Sequence, residues 1–507
     1  MAAPAVLEPD HFRHYAETFN RDDEQLVTNA IPNAASWEWM RSNIPWFECA
    51  DRELEEIYYF RWWTYRQQIK RTPGGYIITE FLPPVPWAGK YNSISCAAGH
   101  HIYEGRWLRD PEYVRDYIRF WFRGGGSPRV YSCWLADALY NACLVTGEWK
   151  LAVDLLPDLK ANYGAWERSR FDTSAGLFWQ EDGQDGMEVS IGGSGFRAPL
   201  NSYMYGDALA IARIARKSGD EATAKAYEAK AATLRESVLA KLWDPEARFF
   251  KVLPRAPGAR LAATRELHGY TPWYFDLPGK EYAVAWRQLT DPHGFWAPYG
   301  PTTAEQRDAH FAVSYQGHEC QWNGPSWPYS TSVTLTALAK LLNGPPQEEI
   351  GKQDYFNLLR VYAKSQHRRR EDGRVTSWID ENLNPFTGDW LSRTRLKTWN
   401  HGTWSAEKGG VERGKNYNHS TFNDLIITGL VGLRPSEGGE FQVNPLVPAG
   451  ELEYFCLDDV PYRNSRLTIL WDRNGERYHR GAGLRVLRDG VLAGSSDKLE
   501  RITIGNQ

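Results

Sequence analysis

Apolar positions recur at helical spacing through most of the first 430 residues. In Leu54–Ile69, Leu54, Ile57, Tyr58 and Arg61 fall on one side of a 3.6-residue period. The same period predicts helices over Pro111–Trp121, Val130–Thr146, Leu151–Trp166, Leu200–Lys217 and Asp220–Leu242. Others are expected over Lys280–Gln288, Ser330–Leu342, Asp354–Lys364 and Thr421–Leu430, and two weaker stretches bring the total near twelve. Gly219 closes one helix, and Asp220 with Glu221 opens the next. Short turns on one side of consecutive helices make αα-hairpins. On the other side the connections are long, as in Phe171–Pro199, Asp291–Pro328 and Gly373–His419. Loops of that length are usually functional.

After Gly429 the period shortens. Phe441–Val443, Leu452–Phe455, Leu467–Trp471 and Leu484–Leu487 are short strand-like runs. Asp472-Arg473-Asn474-Gly475 and Arg488-Asp489-Gly490 read as hairpin turns between them. The chain thus divides into an N-terminal extension (1–34), a helical domain (35–430) and a closing β-sandwich (431–507). No 20–50-residue period repeats, which argues against a solenoid.

Charge is nearly balanced, with 59 basic and 63 acidic residues, and no Lys/Arg block marks a nucleic-acid footprint. No apolar run reaches the ~18 residues of a membrane span, so the expectation is a soluble protein. Met1–Asp10 lacks the basic and apolar regions of a signal peptide. A cytoplasmic address follows if the chain is native full length, a secreted one if a leader was removed. The oligomeric state is left open. Cys49, Cys96, Cys133, Cys143, Cys320 and Cys456 are scattered, which argues against zinc-ligand spacing and a disulfide scaffold but leaves one or two bridges open. The 23 Trp and 27 Tyr are more distinctive. Flat rings with a polar edge suit the C–H faces of sugars, although a helix-rich core also uses Trp for volume.

Four segments on the long connections carry candidate chemistry. Gly176–Glu188 crowds Glu181, Asp182, Asp185 and Glu188 after Phe178-Trp179, a setting that raises one carboxyl pKa. The alternative is a solvated acidic turn or a calcium loop, though the spacing is not that of an EF-hand. Trp378–Trp390 holds Asp380-Glu381 before an Asn-Pro and Thr-Gly turn. Tyr315–Pro328 sets Trp322 and Trp327 in a rigid polar loop ahead of a helix. In Gly99–Asp110, His100 and His101 are adjacent and point apart, against a two-histidine metal site. There Arg106 and Asp110 either grip hydroxyls or pair with each other.

In order, these segments resemble the inverting (α/α)₆ glycosidases of glycoside hydrolase families 37 and 63. Glu104-Gly105-Arg106-Trp107-Leu108-Arg109-Asp110 is similar to their first active-site segment with one residue inserted. Asp182-Gly183-Gln184-Asp185, followed by Leu200-Asn201, resembles the acid segment. Trp322-Asn323-Gly324-Pro325-Ser326-Trp327-Pro328 closely matches a Trp-x-Gly-Pro-x-Trp-Pro signature, and Glu381-Asn382-Leu383-Asn384-Pro385-Phe386-Thr387-Gly388 resembles the base segment. The sequence departs at Gly186-Met187-Glu188 and over Asn416–Asp424. The likeness covers roughly residues 35–430, and the terminal module resembles those closing other such glycosidases.

The resemblance implies a mostly α (α/α)₆ toroid with a small C-terminal β-sandwich. It further implies an exo-acting glycosidase that cleaves a short glycoside with inversion. Asp185 would be the general acid and Glu381 the base, with Glu412 as a rival base. Glu104, Arg106, Trp107, Asp110, Trp179, Asn201, Trp322, Asn323 and Trp327 would hold the carbohydrate. No metal or organic cofactor is needed for any step. Two other classes remain: a polysaccharide lyase or sugar epimerase using His100, His101, His318 and Tyr315, and a non-catalytic glycan-binding protein.

Overall fold

The computed structural model describes residues 6–314, 318–393, 410 and 412–506. Its first helices are α1 (Arg13–Asp22), α2 (Ser36–Asn43), α3 (Arg52–Gln68), α4 (Ala98–Gly105) and α5 (Glu112–Arg123). Next come α6 (Leu135–Thr146), α7 (Trp149–Arg170), α8 (Ala198–Lys217), α9 (Glu221–Lys241) and α10 (Thr271–Tyr274). The last are α11 (Arg287–Thr290), α12 (Pro328–Asn343), α13 (Lys352–Ser365) and α14 (Asn423–Leu425), which runs on as a π-turn to Leu430. Local chemistry sets several ends. Asp51 caps α3 by accepting from the N–H groups of Glu53 and Leu54. Asp220 caps α9 through Thr223, and Gly147 closes α6 at φ 76°.

The even-numbered helices from α4 onward form a closed ring. α4 meets α6, α6 meets α8, α8 meets α10, α10 meets α12, α12 meets α14, and α14 returns to α4. Around them α3, α5, α7, α9 and α13 form an outer layer, α5 on α4, α7 on α6 and α8, α9 on α8, and α13 on α12 and α3. The turn Lys280–Trp286 completes this layer by placing Trp286 on Tyr270 and Trp273. Six outer–inner pairs make the (α/α)₆ toroid expected from the sequence. The ring helices enter from the same mouth, so their N-terminal ends gather there and their C-terminal ends gather at the other.

The apolar period predicts no helix at α4, and the reason is physical. All eight of its residues are buried, so it has no polar face and no amphipathic period. The stretch at Lys280–Gln288 is a 3₁₀ helix to Trp286 followed by α11. The 1–34 segment is more than an extension: Phe12 stacks on Tyr59 at 4.9 Å, and Phe19 of α1 meets Phe60 at 5.4 Å.

The C-terminal part forms two antiparallel sheets. One, of three strands, joins 433–435, 441–443 and 502–504. The other orders Trp46–Cys49, Tyr454–Tyr462, Ser465–Asp472, Gly483–Arg488 and Val491–Ser496. Its edge strand comes from ahead of the toroid, with Trp46 opposite Asp458, so the module is not built from 431–507 alone. Asp489 (φ 50°) and Gly490 (φ 79°) make the expected tight turn, whereas Asp472–Gly475 opens a longer connection to the strand at Gly483. All six cysteines are free. No described helix is long and apolar enough to cross a membrane.

Candidate active site

Where the ring helices begin, their preceding loops enclose a cavity of about 210 Å³ whose walls include Glu80, Glu188, Glu381, Arg413, Trp322 and Trp327. Convergent helix N-termini favour negative charge at this mouth. Trp322 and Trp327 stack at 4.6 Å and 16° to make one wall. Trp327 Nε1 donates to the Gln321 carbonyl at 2.8 Å, fixing the ring. Tyr417 and His419 lie 3.9 Å apart beside it, with His419 edge-on to Trp327 at 5.9 Å.

The acidic loop before α8 divides its carboxylates between two environments. Asp185 is fully buried, and its Oδ2 accepts from Arg197 Nε at 2.6 Å with both side chains at 0% exposure. It does not line the cavity. Gly186 then adopts φ 70°, a left-handed turn where a Cβ would sit 2.8 Å from Cys96 Sγ. Past that turn Glu188 reaches the cavity wall, and its carbonyl accepts from Trp322 N–H at 3.0 Å. Burial, with the Glu381 charge nearby, raises the Glu188 pKa to about 8. Val189 follows at φ 61°, a strained conformation for a β-branched residue. The Asp185 carboxylate thus neutralises Arg197, and Glu188, three residues on, is the member of the cluster that meets the cavity.

Glu381 is 1% exposed and held from one side by Arg413, Nε to Oε1 at 2.7 Å and Nη2 to Oε2 at 3.0 Å. The Cys320 thiol lies 3.5 Å from Oε2. Asp380 orients the turn by accepting from Glu381 N–H and Ser392 Oγ, both at 2.8 Å. A Cβ at Gly414 would lie 1.8 Å from Asp380 Oδ1, so glycine alone lets the Arg413 segment come this close. Mutual hydrogen bonds between Ser326 and Leu383, each 3.0 Å, tie this loop to the tryptophan wall. The rival base, Glu412, pairs instead with Arg393 at 2.7 Å and faces a different depression.

A third carboxylate, Glu80, also lines the cavity. It accepts from the Tyr417 hydroxyl and has its pKa raised by burial to about 8. Glu80, Arg413, Tyr417 and His419 escaped the sequence reading. The last two sit in the segment 416–424 that departs from the family pattern, which was the one available signal.

The other expected sugar contacts hold structure. Glu104 caps α14, accepting from the N–H groups of Asn423 and Asp424 at 2.9 Å. Arg106 Nη2 and Trp107 Nε1 converge on Asp424 Oδ1 at 2.8 and 2.7 Å. Asp110 accepts from Glu112 N–H at the start of α5 rather than pairing with Arg106. Trp179 is clamped between Arg170 (4.1 Å) and Arg255 (4.2 Å). Asn201 bonds both backbone groups of Phe178 at 2.7 and 2.8 Å, pinning the strand ahead of the acidic loop. Asn323 accepts from Gln321 at 3.0 Å. None of these lines the cavity. Of the histidines weighed for lyase chemistry, His318 lines it, while His100 lies edge-on to Trp134 and Tyr329, and His101 bonds Tyr117. Tyr315 lies outside the described residues.

A closed ring of six helix pairs with paired carboxylates over an aromatic wall defines the six-hairpin glycosidase class. Within it, the chain belongs to the mannosylglycerate hydrolase MGH1-like glycoside hydrolase family, whose model matches residues 90–420. A glycosyl hydrolase family 65 C-terminal domain matches residues 433–491. A solved sialidase is 44% identical at a TM-score of 0.91, with the alignment covering 99% of this chain and 45% of that one. This chain thus spans less than half the length of that protein. A family 78 rhamnosidase of Bacillus sp. GL1 shares the fold at TM-score 0.58 and 14% identity, covering 84% of this chain and 40% of that one. The family 63 mannosylglycerate hydrolase of Thermus thermophilus, in complex with Tris and D-glycerate, does so at 0.51 and 13%, covering 72% and 98%.

Proposed function

We propose that this glycoside hydrolase removes a terminal, uncharged sugar with inversion, using Glu188 as general acid and Glu381 as general base. The observation that carries the reading is the contrast between two carboxyls on one cavity. Glu188 has a pKa raised by burial to about 8, so it holds its proton at neutral pH. Glu381 is instead clasped by the guanidinium of Arg413 through two hydrogen bonds, at 2.7 and 3.0 Å. Glu188 gives its proton to the leaving glycosidic oxygen as the C–O bond breaks. Water attacks the anomeric carbon from the far side and passes its proton to Glu381. Arg413 uses one lone pair of each Glu381 oxygen and leaves others for that water. Strain at Val189, beside the acid, fits a loop whose geometry serves chemistry.

Cavity size and charge support the substrate class. About 210 Å³ is below the ~300–1,000 Å³ typical of drug-sized ligands, which suits one sugar ring and so exo-cleavage. The sialidase name belongs to a chain more than twice as long, and sialosides carry a carboxylate. Among the described residues of its lining, Glu80, Glu188, Glu319 and Glu381 face one guanidinium, that of Arg413, already bonded to Glu381, an arrangement that disfavours an anionic ring.

Proton NMR of the fresh product, over a panel of neutral α- and β-glycosides and sialosides, tests the reading. Turnover of a neutral glycoside with inverted anomeric configuration, lost in Glu188→Gln and in Glu381→Gln, is expected. Retention of configuration, turnover of sialosides alone, or full activity in either variant rejects it.

A further inference from the structure

At the opposite mouth, where the ring helices end, lies a second cavity of about 490 Å³. It shares no residue with the sugar cavity. Its walls come from α4, α6, α8, α10, α12 and α14 and from the first strand of the C-terminal module. Tyr103, Tyr140, Tyr205 and Tyr274 contribute flat aromatic surface. The volume falls in the ~300–1,000 Å³ range of small-molecule sites.

Carboxylates and cations line this space in equal number, but they are not all paired with one another. Four carboxylates line it, and each has a donor. Asp424 pairs with Arg106 at 2.8 Å, and Asp276 with Lys340 at 2.9 Å. Glu437 accepts from Tyr140 Oη at 2.5 Å and lies 3.5 Å from Lys217. Asp137 accepts from Tyr103 Oη at 2.6 Å. Two further cations line the cavity and have no carboxylate at ion-pair distance among the described residues: Arg213 of α8 and Arg434 of the first C-terminal strand. The Arg213 guanidinium lies over the Tyr140 ring at 5.2 Å, and Arg434 Nη1 donates to the Thr428 carbonyl at 3.3 Å. Helix C-termini attract cations, but Arg106 and Lys340, at the ends of α4 and α12, already occupy that role. Burial lowers the pKa of Arg434 against the opposing pull of Asp276 and Asp424.

We propose that this cavity binds a sugar-sized ligand carrying a carboxylate or phosphate group, with Arg434 and the more exposed Arg213 as its cationic contacts. Tyrosine faces would meet the ring while the guanidinium groups take the anion. The site joins the toroid to the C-terminal module, since Arg213 belongs to one and Arg434 to the other.

Isothermal titration calorimetry on the full chain tests this, with glucuronate, glucose 6-phosphate, inorganic phosphate and neutral glucose as probes. Binding of glucuronate or glucose 6-phosphate is expected at least tenfold more tightly than glucose, and either one identifies the anion. Arg213→Gln, on an exposed position with little bearing on folding, should weaken that binding about tenfold, and Arg434→Gln should abolish it. Both variants should keep wild-type hydrolysis. Glu188→Gln should bind as wild type, which separates this cavity from the catalytic one. No binding by either anionic sugar, equal binding of glucose, binding by inorganic phosphate as tight as by glucose 6-phosphate, or wild-type affinity in Arg213→Gln overturns the proposal.

Discussion

Replacing Glu188 by Gln should both silence the enzyme and stabilise its fold at neutral pH. The side chain keeps its shape and loses its ability to ionise. In the folded protein the carboxyl has a pKa of about 8, raised from 4.5 by burial and by Glu381. Between those two values the unfolded chain has released the proton and the native chain still holds it. Stability therefore falls as pH rises through this window, by about 1.4 kcal/mol per pH unit, and levels off above about 8. At pH 7 the accumulated penalty is about 3 kcal/mol, a ceiling because Glu188 lies at a cavity wall with some solvent access. Glutamine escapes it. An unfolding entropy of ~1 kcal/mol/K for a chain of this length turns that ceiling into about 3 °C of Tm. The assay is paired calorimetric scans of wild type and variant at pH 4.5, 7 and 8.5. The curves should coincide at pH 4.5 and separate, variant higher, at pH 7 and 8.5. In parallel, kcat should drop about 10²–10⁴-fold, and the wild-type loss of activity as pH rises through about 8 should be absent from the residual rate. Equal Tm at all three pH values, or a variant less stable at pH 7, would falsify the assignment of Glu188 as the protonated carboxyl.

Three further outcomes follow from the same geometry. Asp185→Asn leaves Arg197 buried without its counter-charge, so stability should fall by about 3–5 kcal/mol, while the folded fraction keeps kcat within about tenfold and retains its alkaline limb; denaturant titration and a pH–rate profile check both. Trp322→Ala removes one face of the sugar wall; with stacking worth about 1.5 kcal/mol, KM should rise about tenfold with a smaller change in kcat, read by steady-state kinetics on the best neutral glycoside. Among the described residues Glu412→Gln breaks the pair with Arg393, so kcat/KM should stay within about threefold of wild type, whereas a loss of 10²-fold or more would make Glu412 the base.

Much of the toroid was legible along the chain because most of its helices keep one polar face. The period at Leu54–Ile69 or Asp220–Leu242 survives in α3 and α9, and the alternation after Gly429 survives in the C-terminal strands. Ring helices are packed on every side, and where one is short, as α4 is, its residues lose the period by which a helix announces itself. The long loops ahead of α8, α12 and α14 were likewise visible as the place for chemistry, and Trp322, Trp327 and Glu381 meet at one cavity as their segments suggested.

What the order of residues could not decide was which members of each charged cluster turn inward. Asp185 and Glu188 are three positions apart in one acidic loop, and nothing local distinguishes them. The left-handed turn at Gly186 and the presence of Arg197 twelve residues later make one a buried counter-ion and the other a wall of the cavity. In the same way Glu104, Arg106 and Trp107 look like a sugar-binding run until Asp424, over three hundred residues away, draws them into the cap of the last ring helix. Periodicity and turn chemistry are local and can be read from neighbours. The partner of a buried charge is chosen by closure of the ring, so its identity exists only in three dimensions.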